Sequence, residues 1–334
     1  MILHQSPAGT LQQIDWKQYK GSRAINPSSL AAGLRDYLQV DVRAIHNALH
    51  GTYTEPSAQA QDRMDRGSVV HMALLQPERL GTDIAVWRGW QIDPETCQII
   101  KSMYVPRKVG SKTIAKQLDI DESIVSAVLS GATSSEIRSG KAWDAFEAEN
   151  SKKLIMRAVD YDQAMAVANE VRYHEIPVMC LRDSKPEVAM FTTEDGVDVR
   201  GQVDAVSIKR RVIVDIKTTD SGVSDRECES TIRRFHYREK MALYRRWIAR
   251  ITESDPYSWK CYDLFISMDA ASPSINLVRI SEDALQWGEA RMINALQCYQ
   301  AAVAANDFPI MATESCVSVA SWEMSEESEV EIEY

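Results

Sequence analysis

The run Val212-Ile213-Val214-Asp215-Ile216-Lys217 places a carboxylate and an ammonium two residues apart after three apolar residues. In a strand, successive side chains alternate between faces. Val212, Val214 and Ile216 would then face one way, and Ile213, Asp215 and Lys217 the other. Asp204 lies on the preceding strand-like stretch, 197–208, across the basic turn Lys209-Arg210-Arg211. Antiparallel pairing across so short a turn would set Asp204 beside Asp215. Glu187 stands at the start of a third stretch, 188–193, joined to the second by Glu194-Asp195-Gly196, a turn signal. Three carboxylates and one lysine can thus converge at one end of a small sheet. Such a set suits a hard divalent cation, which prefers oxygen ligands and keeps several waters. The cation lowers the pKa of a bound water and neutralises charge developing on a phosphate. A lysine beside it orients the attacking water and adds positive charge. An isolated Asp-x-Lys also occurs as an exposed ion pair on an edge strand. Asp204 across the turn is what favours the chemical reading.

Those strands need a frame, and the rest of the chain supplies one. Residues 24–50 read as helical, with Asn26-Pro27-Ser28-Ser29 as the start signal. Residues 51–62 read as a polar loop. Gly67-Ser68 would open an apolar helix that carries His71 and stops near Pro77. Helical patterns return at 138–150, 160–175, 231–250 and 282–305. The 231–250 stretch holds Arg233, Arg234, Arg238, Lys240, Arg245, Arg246 and Arg250, with Phe235, Tyr237, Tyr244 and Trp247 interleaved. This density can track a phosphate backbone. Tyr237 and Tyr244, seven apart, can also pack inward from the other face.

Residues 90–133 differ in character. Asp93-Pro94-Glu95 starts one helical stretch. Ser111 to Leu118 and Glu122 to Leu129, separated by Asp119-Ile120-Asp121, match a helix-turn-helix pattern. The second helix has no Lys or Arg, so a DNA reader and a small hairpin packed on the body are both open.

The 334 residues, 45% hydrophobic and 26% charged, fit one large or two modest globular domains. No apolar run is long enough for a transmembrane helix, and no secretory pattern opens the chain; the expectation is the cytoplasm of a bacterial host cell, without a membrane partner. The six cysteines form no Cys-x-x-Cys pair, which disfavours structural zinc and iron–sulfur clusters. The net charge of −10 argues against coating nucleic acid through overall charge, but a local basic groove is compatible with it. Part of the imbalance lies in the glutamate-rich tail 323–334, a solvated or partner-docking segment.

Arg200-Gly201-Gln202-Val203-Asp204-Ala205 followed by Val212-Ile213-Val214-Asp215-Ile216-Lys217-Thr218-Thr219 resembles the PD-(D/E)-x-K nuclease core. More narrowly it resembles the exonuclease VIII (RecE-type) branch of phages and prophages. Gly67 to Glu78 is similar to that branch's helix with a metal-binding histidine. Gly140-Lys141-Ala142-Trp143-Asp144-Ala145-Phe146 is similar to the segment before its core. Tyr237 and Tyr244 match its following helix. The resemblance covers roughly residues 24–86 and 138–305, with His71, Asp204 and Asp215-x-Lys217 in order. A lone histidine on an apolar helix is otherwise a packed residue more often than a ligand.

The resemblance implies an α/β, restriction-endonuclease-like fold, a central mixed sheet flanked by helices, into which this chain's own pattern inserts a small helix-turn-helix-like segment. It divides the chain into an exonuclease domain at 1–89 and 134–322, an insert at 90–133 and an acidic tail at 323–334. It implies that His71, Asp204, Asp215 and the Ile216 carbonyl hold Mg2+, or Mn2+, that Glu187 binds a second metal or its water, and that Lys217 acts on the nucleophile. Arg200, Arg233, Arg234, Arg238, Lys240, Tyr237 and Tyr244 would meet DNA. The implied activity is 5′-to-3′ degradation of linear duplex DNA, leaving 3′ overhangs for phage-type recombination, beside a single-strand annealing protein and within a homo-oligomeric ring. The alternatives are an endonuclease directed by the insert and a non-catalytic DNA-binding protein. Two departures stand out. Lys240 occupies a position where the family often has glutamine, and the insert interrupts the usual pattern.

Overall fold

The computed structural model describes residues 2–14, 19, 24–35, 39–51, 56–89, 94–104, 109–131, 138 and 140–311. The predicted tail 323–334 lies outside them. Seven strands form one mixed sheet: β1 (Ile2–Ser6), β2 (Gly9–Gln13), β5 (Lys185–Glu194), β6 (Val197–Ser207), β7 (Val212–Thr219), β8 (Lys260–Ser267) and β9 (Ile275–Arg279), in the order β1-β2-β5-β6-β7-β8-β9. All neighbours are antiparallel except β7 and β8, which run parallel. A parallel pair needs a long crossover, and residues 220–259 provide it. A separate parallel pair joins β3 (Ile84–Trp87) to β4 (Leu154–Arg157). The β1–β2 hairpin is absent from the sequence-based reading. Its strands are short and only Leu11 is fully buried, so they lack a strong apolar alternation.

Helices cover both faces of the sheet. In chain order they are α1 (Pro27–Ala31), α2 (Val42–His50), α3 (Ala58–Leu75), α4 (Leu80–Asp83), α5 (Pro94–Met103), α6 (Ser111–Leu118), α7 (Glu122–Ser130), α8 (Lys141–Glu149), α9 (Ala158–Arg172), α10 (Glu175–Leu181), α11 (Asp225–Arg234), α12 (Tyr237–Ile251) and α13 (Glu282–Ala305). One face packs against α1, α2, α12 and α13 around Met190, Val203, Ile213, Trp247 and Phe265. The other packs against α3, α9 and α10 around Val70, Ala168, Val214, Ile216 and Leu264. No helix among the described residues is long and apolar enough to cross a membrane.

Several expected boundaries move. The single helix expected over 24–50 is two, α1 and α2. Asn26 does cap α1, accepting the Ser29 N–H at 3.0 Å, but the chain then turns and Leu34 bridges to Val40. The expected loop 51–62 already contains the start of α3, capped by Ser57. Gly67 therefore lies within this helix rather than opening it. Its lack of a Cβ has a packing reason, since a Cβ there would come within 2.6 Å of Thr218 Oγ1. The glycine lets α3 lie against the end of β7. The 231–250 helix is also broken in two, between α11 and α12, where His236 adopts a left-handed φ of 55°.

In the 90–133 stretch, α5, α6 and α7 enclose their own small core of Ile100, Ile114, Ala115 and Val125. The turn between α6 and α7 is made by Asp119 at φ 51° and by Asp121, whose carboxylate caps α7 through the Ser123 N–H at 3.0 Å. Asp93 is outside the described residues.

Candidate active site

β6 and β7 pair from Ser207↔Val212 to Ala205↔Val214. One further step along that register would set Asp204 opposite Asp215, but the backbone ladder ends there. Instead the Asp204 carboxylate accepts the Ile216 N–H at 2.5 Å. A side chain has replaced a backbone acceptor, and the two strands part around it. The alternation of β6 slips at the same place. Val199 and Val203 pack into one core, whereas Ala205 packs into the other. A uniform strand would put Val203 and Ala205 on one face.

β5 is distorted beside this point. Pro186 pairs with Ala205 and Val188 with Val203, and Glu187 between them has φ 51°. A non-glycine residue in the left-handed region costs roughly 1–3 kcal/mol and persists only where its surroundings enforce it. Here the result is a carboxylate aimed at Asp204, and Gln202 Nε2 donates to Glu187 Oε2 at 2.8 Å. His71, from the middle of α3, brings its Nδ1 to 3.6 Å from Asp204 Oδ2. One ligand atom from each of His71, Glu187 and Asp204 lies within 4.8 Å of the others. One imidazole and two carboxylates fit a small, oxygen-preferring divalent cation.

Asp215 and Lys217 do share a face. The Lys217 ammonium is hydrogen-bonded to Asp215 Oδ2 and sits 4.3 Å from the centroid of the Tyr237 ring. Lys240 Nζ approaches the same ring at 5.3 Å. Asp215 stands outside the His71–Glu187–Asp204 group. The described role of Ile216 is that of an N–H donor to Asp204.

Burial and mutual repulsion shape the charges. Burial, with the Asp204 charge adding, pushes the Glu187 carboxyl up to about 7. Burial also lifts Asp215 to about 6 despite Lys217. Burial would lift Asp204 too, but the His71 imidazole beside it holds that carboxyl well below the usual carboxylate range. Burial works against a charged His71, yet Asp204 raises its pKa. Lys217 stays firmly protonated through Asp215 and Asp204 despite burial. Acids forced toward neutrality beside one held ionised mark a site short of positive charge.

Two clefts flank this seam. One, of about 620 Å3, is lined by His71, Glu187, Gln202 and Asp204, with Arg79 and Arg200 at its wall. The other, of about 640 Å3, is lined by Lys217, Tyr237 and Phe235, with Arg63, Arg226 and Arg234. A larger cavity of about 1070 Å3 around His46, His50 and Tyr299 contains none of the site carboxylates.

The residues expected to meet DNA fall into different places. Arg234 and Tyr237 line the second cleft. Arg200 and Tyr244 line the first, where Arg200 lies over the Tyr19 ring at 4.6 Å and donates to the Tyr19 carbonyl. Tyr244 is buried, and Gly201 makes room for it, since a Cβ there would meet the ring at 3.0 Å. Arg233 is exposed and paired with Glu229 on its own helix. Arg238 lies 4.2 Å from the Trp287 ring centroid and 3.4 Å from Glu239. Asp263 is absent from the sequence-based site. Its signal was present as a lone acid in the apolar run Cys261-Tyr262-Asp263-Leu264-Phe265-Ile266.

The sequence from residue 34 to 321 matches the model of a PDDEXK-like domain of unknown function (DUF3799). No curated protein sequence matches the chain. Among solved structures, the fold is similar to that of an inferred exonuclease from Eubacterium rectale. The TM-score is 0.50 at 12% identity, with 92% of this chain and 97% of that chain covered. A phage-related exonuclease from Haemophilus somnus aligns with a TM-score of 0.30 at 10% identity, over 85% of this chain and 96% of that one. At 12% identity, the likeness to the Eubacterium rectale protein is one of fold.

Proposed function

The chain belongs to the PDDEXK-like family, and we propose that it is a divalent-metal-dependent deoxyribonuclease acting from the ends of linear duplex DNA. One observation carries the reading: His71, Glu187 and Asp204 converge within 4.8 Å beside an Asp215–Lys217 pair, between two clefts. His71, Glu187 and Asp204 would hold the cation, with Asp215 as a further ligand. A bound Mg2+ or Mn2+ supplies Lewis acidity to the phosphate and lowers the pKa of a water. The chain's own residues do the rest. Lys217, fixed by Asp215 and the Tyr237 ring, places its ammonium where a phosphate oxygen gains charge. Gln202 holds the Glu187 carboxylate in its strained orientation. Arg63, Arg226 and Arg234 draw the sugar–phosphate backbone along the second cleft. Arg200, held by the Tyr19 carbonyl, and Arg79, paired with Asp83, add only positive potential to the first.

The finer reading is 5′-to-3′ resection that leaves 3′ overhangs for phage-type recombination, with a single-strand annealing protein as partner and a ring of identical subunits enclosing the duplex. The support is the resemblance of the His71, Asp204 and Asp215-x-Lys217 series to the RecE-type branch. On this reading residues 1–89 and 134–322 form the nuclease domain, and 90–133 is an insert whose α5–α7 core is its own.

Digestion of 5′-end-labelled linear duplex, with and without Mg2+, beside a covalently closed circle, tests this. Metal-dependent release of label from the linear substrate alone is the expected result. Cutting of the circle would replace the exonuclease with an endonuclease. Inertness toward both substrates would overturn the nuclease reading.

A further inference from the structure

Asp263 is fully buried, and neither of its carboxylate oxygens has a hydrogen-bond partner among the described residues. A buried, unpaired carboxylate is among the costliest groups a fold can carry. A carboxylate kept for structure would accept hydrogen bonds, as Glu194 does from Arg246, Trp247 and Arg250. Asp263 accepts none, and its position is specific. The parallel register of β7 and β8 sets it directly beside Asp215, one strand nearer the β9 edge of the sheet. Cys261 and Phe265, its neighbours of like orientation, pack in the same core as Ile213, so Asp263 and Asp215 share a face. That face is covered by α12, which brings Tyr237 and Lys240. Lys217 and Lys240 are the cations that act on Asp263 most strongly, and Lys240 forms no ion pair among the described residues. Four carboxylates, Glu187, Asp204, Asp215 and Asp263, therefore face two lysines. With the acids ionised and His71 neutral, the lysines leave an excess of negative charge that a divalent cation would offset, with the Arg79 guanidinium acting at the Glu187 end.

We propose that Asp263 is a positioning residue of this site, a buried counter-charge that keeps the Lys217 and Lys240 ammonium groups at the reacting end of the sheet and sets its affinity for a divalent cation. The proposal rests on the metal-dependent reading above. It also accounts for a lysine at position 240: a cation there is tolerated because Asp263 offsets it.

The test uses the full-length protein, Mn2+ as the probe followed by electron paramagnetic resonance, and melting without metal. Asp263→Asn should weaken Mn2+ binding by about tenfold through loss of one nearby charge. The same variant should melt a few degrees higher than the parent without metal, because repulsion between two neighbouring buried acids, Asp263 and Asp215, is gone. Lys240→Gln should tighten Mn2+ binding, and the double variant should return to within about threefold of the parent. An Asp263→Asn protein that binds Mn2+ like the parent, or that melts lower, overturns the proposal. So does a double variant no better than Asp263→Asn alone. Failure of the parent itself to bind Mn2+ would remove the metal reading and this inference together, whereas a binding parent with an indifferent variant removes the inference alone.

Discussion

The two ends of α12 carry similar residues to opposite effect. At its N-terminal end, Tyr237 and Lys240 face Lys217 and the buried acids, and Lys240 is held by no ion pair among the described residues. At its C-terminal end, every arginine is committed. Arg246 and Arg250 both donate to Glu194, which is only 1% exposed and also accepts the Trp247 indole N–H at 3.2 Å. Arg245, itself buried, is bonded to Glu282 at 2.7 and 2.9 Å. One end keeps charge in reserve for chemistry and the other spends it on tying α12 to β5 and α13. Cation density along a helix therefore does not report how many cations are available to a phosphate backbone.

The comparison predicts loss of function without loss of fold at one end, and the reverse at the other. Lys217→Ala should lower turnover on linear duplex roughly a thousandfold while the protein stays folded and still binds metal, more tightly for the loss of one nearby cation. A variant with near-parental turnover would remove Lys217 from the chemistry. Glu194→Ala leaves two arginines and an indole around a buried gap, and should destabilise the fold by about 3–5 kcal/mol, read by denaturant unfolding. Activity per folded molecule should survive. If it collapses with stability intact, the two ends are not separate.

Smaller effects sharpen the contrast. Glu187, Asp215 and Asp263 have folded pKa values raised to about 7, 6 and 7. Such groups contribute stability that is fully present below their unfolded values, near 4, and is lost as pH rises through 6 to 7. Over the same window they ionise and become able to bind a cation. The rise in melting temperature on adding Mg2+ should therefore grow between about pH 5 and pH 8. A gain that is flat or shrinks with pH would contradict this picture of the acid cluster. Glu194 has the opposite sign, its carboxyl being lowered by Arg246 and Arg250 against burial, so its contribution is lost as pH falls. Smallest of all, Arg234→Ala in the second cleft should weaken DNA binding and reduce the salt-dependence slope by about one phosphate contact. Arg250→Ala should leave that slope unchanged, as measured by binding titrations at several salt concentrations.

The PD-(D/E)-x-K resemblance is borne out by the family match and by the mixed α/β sheet. The strands that carry the chemistry were legible because their signals are local. Two tight turns, at 195–196 and 208–211, and strong β-branched runs specify β5, β6 and β7, and side-chain alternation puts Asp215 and Lys217 on one face. The α6–α7 turn was legible for the same reason. β1 and β2 were not, since their stability comes from pairing with each other and, for β2, with β5 rather than from their own pattern.

Local pattern along the chain is enough to name the residue types that could act and to say which of them share a strand face. Tertiary structure alone decided the slip of β6 at Asp204, the strained Glu187, the approach of α3 that delivers His71, and the parallel β8 that sets Asp263 beside Asp215. It also decided which arginines remain unspent. These depend on contacts between residues far apart in the chain, where packing and charge compensation outweigh local preference, so no spacing along the sequence encodes them.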